Sequence, residues 1–215
     1  MAEPSAGPRL RWAAVGALAV LLAVALGIAV SGQTPAIDDW WLPIAVGWRG
    51  PGWDDLALAL NHLGGGVVAV LVVPLGGTAL LAWKAGRWPA AFFLAASAVS
   101  AGVVQLLKYG FGRMRPAEII VTTDHGSFPS GHTANAATIA VVLGLLFCRW
   151  WVWLLGALYT VLMALSRTYL AAHWLSDTLG GALVGAGVAL LLWAALLPRL
   201  NASGRSDGLE KAHAG

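Results

Sequence analysis

The stretch FPSGHTANAATIAVVLGLLFC, Phe128 to Cys148, decides how the rest of the chain is read. A polar cluster, Phe128-Pro129-Ser130-Gly131-His132-Thr133, passes without a linker into an apolar run from Thr133 to Cys148. Chemistry-bearing side chains at the end of an apolar run suit a site held at a membrane surface. Two further clusters flank it in an otherwise apolar chain: Lys108-Tyr109-Gly110-Phe111-Gly112-Arg113-Met114-Arg115-Pro116, and Ser166-Arg167 with His173 and Asp177.

Composition supports a membrane protein. Of 215 residues, 59% are hydrophobic and 11% charged, against about 25% charged in soluble domains, and the mean hydropathy is +0.75. The net charge of +3 is spread singly between apolar runs, with no basic patch for nucleic acid. One cysteine, Cys148, forms neither an internal disulfide nor a zinc pattern.

Six apolar runs are each expected to cross the bilayer, which requires about 20 residues. They are Trp12–Val30, Gly64–Trp83, Trp88–Leu107, Thr133–Cys148, Trp150–Leu165 and Thr178–Leu197. The first follows Arg9 and Arg11, as a signal peptide would, but it is long for one and no small-residue cleavage site follows. The fold expected is all-α: a single membrane domain over 1–215, with a six-helix bundle over 9–198 and polar, disordered tails at 1–8 and 199–215. Residues 31–62, rich in Trp and Asp, read as an interfacial connection, with Trp53–Leu63 as an amphipathic helix along the membrane.

Six spans put both termini on one side. Arg9, Arg11, Lys84, Arg87, Arg149, Arg199, Arg205 and Lys211 fall there; Arg49, Lys108, Arg113, Arg115 and Arg167 fall opposite. The positive-inside tendency makes the termini cytoplasmic. All three clusters then lie on the outer, extracytoplasmic face of the cytoplasmic membrane, at the membrane–water interface.

The clusters suit an anion. Lys108, Arg115 and Arg167 converge if the third and fifth spans are neighbours, and arginine forks match phosphate. Ser130 reads as a helix N-cap. The helix start behind it offers free N–H groups, Gly131 permits close backbone approach, and His132 faces the same anion. His173 and Asp177, four apart, share a helix face; the carboxylate orients the imidazole and leaves its other nitrogen free to attack or accept a proton. Tyr109, Phe128 and Tyr169 are expected to line the rim. Arg113 is read as a cation snorkelling to headgroups, and His62, His125 and His213 receive no role.

Lys108-x6-Arg115-Pro116, Pro129-Ser130-Gly131-His132 and Ser166-Arg167-x5-His173-x3-Asp177 together resemble the three-part signature of the type 2 phosphatidic acid phosphatases. The match covers residues 108–177, with every internal spacing kept. The resemblance implies a six-helix membrane enzyme that removes phosphate from lipid phosphates or pyrophosphates without a metal or other cofactor. It implies His173 as nucleophile forming a phosphohistidine, Asp177 as its orienting partner and His132 as general acid. It implies Lys108, Arg115, Ser130, Gly131 and Arg167 as phosphoryl ligands. Neutral His173 beside protonated His132 predicts a bell-shaped pH profile. The expected partners are the membrane and a lipid phosphate within it: undecaprenyl pyrophosphate, phosphatidylglycerophosphate or phosphatidic acid. Phosphotransfer to another lipid and non-catalytic lipid-phosphate binding or transport are the alternative functions. The vanadium haloperoxidases resemble the same signature but are soluble.

Overall fold

The computed structural model describes residues 6–213, with side chains from 7 to 202. Helix α1 spans Ala6–Val30, α2 Ala36–Gly47 and α3 Pro51–Gly64. A π-helical turn, Val68–Val72, leads into α4, Val73–Ala85. Then come α5 (Arg87–Phe111), α6 (Gly131–Phe147), α7 (Trp150–Tyr169) and α8 (Leu175–His213). Local chemistry sets several boundaries. Pro51 occupies the first turn of α3, where its missing N–H costs nothing. Gly112 ends α5 in the left-handed region at φ 55. Ser130 caps α6 by accepting from Thr133 N.

Helix α8 is the centre of the bundle and packs on α1, α5 and α6. Phe92, Phe93 and Val142 form one buried cluster with Ala189, and Val104, Ala134, Val184 and Val188 form another. Helix α6 approaches α8 closely because Gly181 and Gly185 have no Cβ. One on Gly181 would collide with the Ser130 carbonyl, and one on Gly185 with the Ala134 carbonyl. Leu18, Leu22, Leu71, Leu80, Leu155 and Leu158 point outward and exposed. So much outward apolar surface suits lipid rather than water.

Among the described residues, five helices are long and apolar enough to cross a membrane: Gly7–Val30, Val68–Ala85, Arg87–Phe111, Trp150–Tyr169 and Leu175–Ala202. The remaining expected span, the fourth run Thr133–Cys148, corresponds to α6, which has 17 residues and is about 25 Å long. Its neighbours α5, α7 and α8 cover much of it.

Three expectations change. The stretch 31–62 holds two helices rather than one; Asp38, Asp39 and Pro43 break the apolar pattern of α2, while carboxylates in its first turn suit the helix dipole. The helix expected over Trp53–Leu63 is present as α3. Residues 199–213, expected as a disordered tail, continue the backbone of α8, since extending an existing helix avoids the nucleation cost. The side chains of Arg205, Lys211 and His213 lie outside the described residues, as do residues 1–5 of the amino-terminal tail; residues 6–8 begin α1.

Candidate active site

A cavity of about 560 Å³ brings together Lys108 from the end of α5, Arg115 from the following loop, Gly131 and His132 from the start of α6, Arg167 from the end of α7, and His173. The helix ends that carry the three polar clusters therefore meet at one end of the bundle.

His173 sits in the short connection between α7 and α8 and is 2% exposed. Its Nδ1 lies 3.6 Å from Asp177 Oδ2, just beyond hydrogen-bond range, and has no other partner among the described residues. Its Nε2 lies 3.3 Å from Arg115 Nη1. Burial, then the charges of Arg167, Arg115 and Lys108, hold the imidazole pKa well below its ordinary value. The ring is thus neutral, and an arginine donor facing Nε2 places the lone pair there and the proton on Nδ1, toward the carboxylate.

Asp177 itself is completely buried. Its Oδ2 accepts from Trp174 N at 2.9 Å, the reach-back half of a capping box. Its Oδ1 accepts from Arg113 Nη1 at 2.6 Å. Arg113 also donates to Ser176 Oγ at 2.8 Å and, through Nη2, to Asp38 Oδ2 at 2.9 Å. Asp38 Oδ1 in turn accepts from Ser176 N at 2.8 Å. This corrects one reading. Arg113 is no snorkelling cation but a buried bridge, 7% exposed, between α2 and the start of α8. Asp38, in the stretch read as an interfacial connection, is the far end of that bridge.

The expected phosphate ligands are placed unequally. Lys108 Nζ donates to Asp124 Oδ1 at 2.9 Å and to the Gly126 carbonyl at 3.0 Å. Arg115 Nη2 reaches the same Asp124 Oδ1 at 2.8 Å. Burial lowers the Arg115 pKa against the pull of the Asp124 and Asp177 carboxylates. Burial raises that of Asp124, but Lys108 and Arg115 outweigh it and hold the carboxyl below its usual value. Arg167 is 1% exposed; Nη1 donates to Asn61 Oδ1 at 2.5 Å, and Nε is buried without a partner among the described residues. His132 Nε2 contacts the Asn61 carbonyl at 3.1 Å. Gly131 lines the cavity, and a Cβ there would make only ordinary contact with Val104, 3.5 Å away. Ser130 does not line it: its hydroxyl is buried and occupied by Thr133 N and Oγ1.

The expected rim residues divide. Tyr109 is exposed and stacks on His125, 5.4 Å between ring centroids. Phe128 is buried edge-on against Phe111, a packing role. Tyr169 pins α3, donating to Asp54 Oδ1 at 2.5 Å and accepting from Gly50 N at 3.0 Å. Asn61, Asp38, Asp124 and the bridging role of Arg113 were missed. No local spacing links Asn61 to Arg167 or Asp38 to Arg113; adjacent Asp38 and Asp39 on an otherwise apolar helix were the only hint of the second pair.

Comparison with known proteins agrees with this geometry. The model of the PAP2 superfamily matches residues 89–200, more than half the chain. The chain is 35% identical to an undecaprenyl-diphosphatase of Sulfolobus acidocaldarius over 40% of its own length and 45% of the relative's. It is 41% identical to a lipid A 1-phosphatase of Porphyromonas gingivalis over 41% of itself but 19% of that protein. It therefore spans less than half the length of either. With phosphatidylglycerophosphatase B of Bacillus subtilis it shares 26% identity over 64% of this chain and 72% of the other. The crystal structure of a transmembrane PAP2-type phosphatidylglycerolphosphate phosphatase from Bacillus subtilis superposes with a TM-score of 0.72 at 25% identity, covering 82% and 93% of the two chains. Aquifex aeolicus LpxE superposes at 0.66, covering 76% and 97%, and at 24% identity shows the shared fold. The three-part signature, the helix ends that assemble it and the family match agree: this chain belongs to the PAP2 superfamily, the type 2 phosphatidic acid phosphatases.

Proposed function

We propose that this protein is a lipid phosphatase that hydrolyses a lipid phosphate or prenyl pyrophosphate through a phosphohistidine at His173. One observation carries the reading. The cavity holding both histidines and all three cations continues along the π-helical turn, α4 and α5 past Val70, Leu71, Leu75 and Ala101 to Ser97 and Leu94. From Lys108 to Leu94 is roughly 20 Å of helix. A polar end continuous with so long a slot lined largely by apolar and small residues suits a phosphorylated headgroup on a long hydrocarbon chain. Undecaprenyl pyrophosphate, phosphatidylglycerophosphate and phosphatidic acid all have that form, and the relatives are named as phosphatases of such lipids.

In this mechanism His173 Nε2 attacks phosphorus; an N–P bond forms as the bond to the leaving oxygen breaks. Lys108, Arg115, Arg167 and the Gly131 N–H stabilise charge on the equatorial oxygens. Asp177 balances the charge gained by His173, and the 3.6 Å contact tightens as that charge develops. His132 protonates the leaving oxygen. It then takes a proton from water, which attacks the phosphohistidine and releases inorganic phosphate. The cations supply the charge that a divalent ion supplies in other phosphatases. The chain crosses the cytoplasmic membrane six times, α6 being a short fourth span, with termini inside and the site at the outer surface.

The test is phosphate release by the purified protein in detergent with EDTA, from a panel of lipid phosphates and pyrophosphates, beside His173→Ala. Release by the wild type alone supports the reading, and the ranking across the panel selects the substrate. No release by folded wild-type protein, or equal release by the variant, overturns it.

A further inference from the structure

We propose that Asn61, near the end of α3, is a positioning residue that aims both Arg167 and His132 at the phosphoryl group. The inference rests on the phosphatase reading above and adds a residue that lies outside the three-part signature.

Three observations converge on it. The Asn61 side-chain oxygen accepts from Arg167 Nη1 at 2.5 Å, while its backbone carbonyl takes His132 Nε2 at 3.1 Å. One residue thus holds a proposed phosphate ligand and the proposed acid. Secondly, the side of the guanidinium that Asn61 grips matters. Holding Nη1 leaves the Nε–Nη2 edge without a protein partner among the described residues, and Nε is fully buried. That edge has two parallel N–H groups, the geometry that binds two oxygens of one phosphate. A carbonyl oxygen can only accept, so His132 carries a proton on Nε2 in this contact, which leaves Nδ1 as the nitrogen that holds the transferable proton when the ring is charged.

Thirdly, α3 is built as a fixed wall rather than a loose surface helix. Its beginning is tied to the end of α7 by Asp54 and Gly50 on Tyr169. Arg49, just before it, donates to the Tyr169 carbonyl at 3.1 Å. Its end lies so close to His132 that a Cβ on Gly65 would overlap the imidazole. Asn61 therefore presents its two oxygens from an element anchored at both ends.

The experiment uses the full-length enzyme in detergent with a lipid phosphate it hydrolyses, and orthovanadate as a competitive probe of the phosphoryl site. Asn61→Leu removes the acceptor, keeps the backbone carbonyl and does not weaken the helix. Asn61→Ala is the second variant should the first misfold. His62→Ala, on the exposed face one residue on, is the control, and the melting temperature is recorded for each. The expected result is a kcat/KM lower by roughly 10- to 100-fold, the scale of a misaimed catalytic group. Vanadate inhibition should weaken in parallel at an unchanged melting temperature, with His62→Ala like wild type. Unchanged kcat/KM and vanadate affinity overturn the inference. So does a loss of activity that follows a fall in melting temperature while vanadate affinity holds. Arg167→Ala separates the two levels: if it keeps wild-type turnover, the phosphate-site reading fails; if it is inactive and Asn61→Leu is normal, only the role of Asn61 fails.

Discussion

Asp124 places one carboxylate oxygen 2.9 Å from Lys108 Nζ and 2.8 Å from Arg115 Nη2, where the proposed mechanism needs two phosphoryl oxygens. The carboxylate is half-exposed, so substrate can displace it at modest cost. Asp124→Asn should lower KM by roughly 5-fold, about 1 kcal/mol for a pair this exposed, with kcat little changed in steady-state assays. A raised KM would mean that Asp124 instead holds the two cations in place. At this scale the sequence was highly legible where spacing is local. His173 and Asp177 sit four apart on one stretch, and Ser130 caps the helix it precedes. It was illegible where the partner lies far along the chain. Asn61 is 106 residues from Arg167, and no composition or period in α3 marks it.

Elements meet through buried charge as well as through apolar packing. The Arg113 bridge ties α2 to α8 with both carboxylates fully buried, and one end of it is Asp177, which stands beside His173. Removing one member of a buried pair leaves an uncompensated charge, at about 3–5 kcal/mol. Arg113→Met should destabilise the protein by that amount in detergent unfolding and reduce turnover by loosening Asp177; wild-type stability and activity would contradict the bridge. The apolar runs made α5, α6 and α7 readable to within a few residues and located α1, α4 and α8 without fixing both their ends. Helix α2 was not readable, because Asp38, Asp39 and Pro43 resemble loop punctuation. Asp38 serves neither solvent nor a turn; it answers a charge 75 residues away.

For the whole molecule, the proposed sidedness rests on charge asymmetry. Cys148, exposed at the α6–α7 turn, is at the end of the bundle that this proposal places inside. In intact cells a membrane-impermeant thiol reagent should leave Cys148 unlabelled. It should label a Glu118→Cys substitution made on a Cys148→Ser background. The reverse pattern would invert the topology. Six apolar runs and three clusters were enough to read a helical membrane bundle with one phosphate-handling end; the slot between α4 and α5 required the packed structure, since its lining residues follow no signature.

The most direct measurement is capture of the covalent intermediate. Enzyme mixed with a lipid phosphate radiolabelled in its terminal phosphoryl group is quenched in alkaline denaturant, which preserves phosphohistidine. The expected result is label on the wild-type protein, lost on acid treatment, mapped to His173 and missing from His173→Ala. Turnover at the wild-type rate with no label on the protein, or label persisting in His173→Ala, would contradict the proposed role of His173.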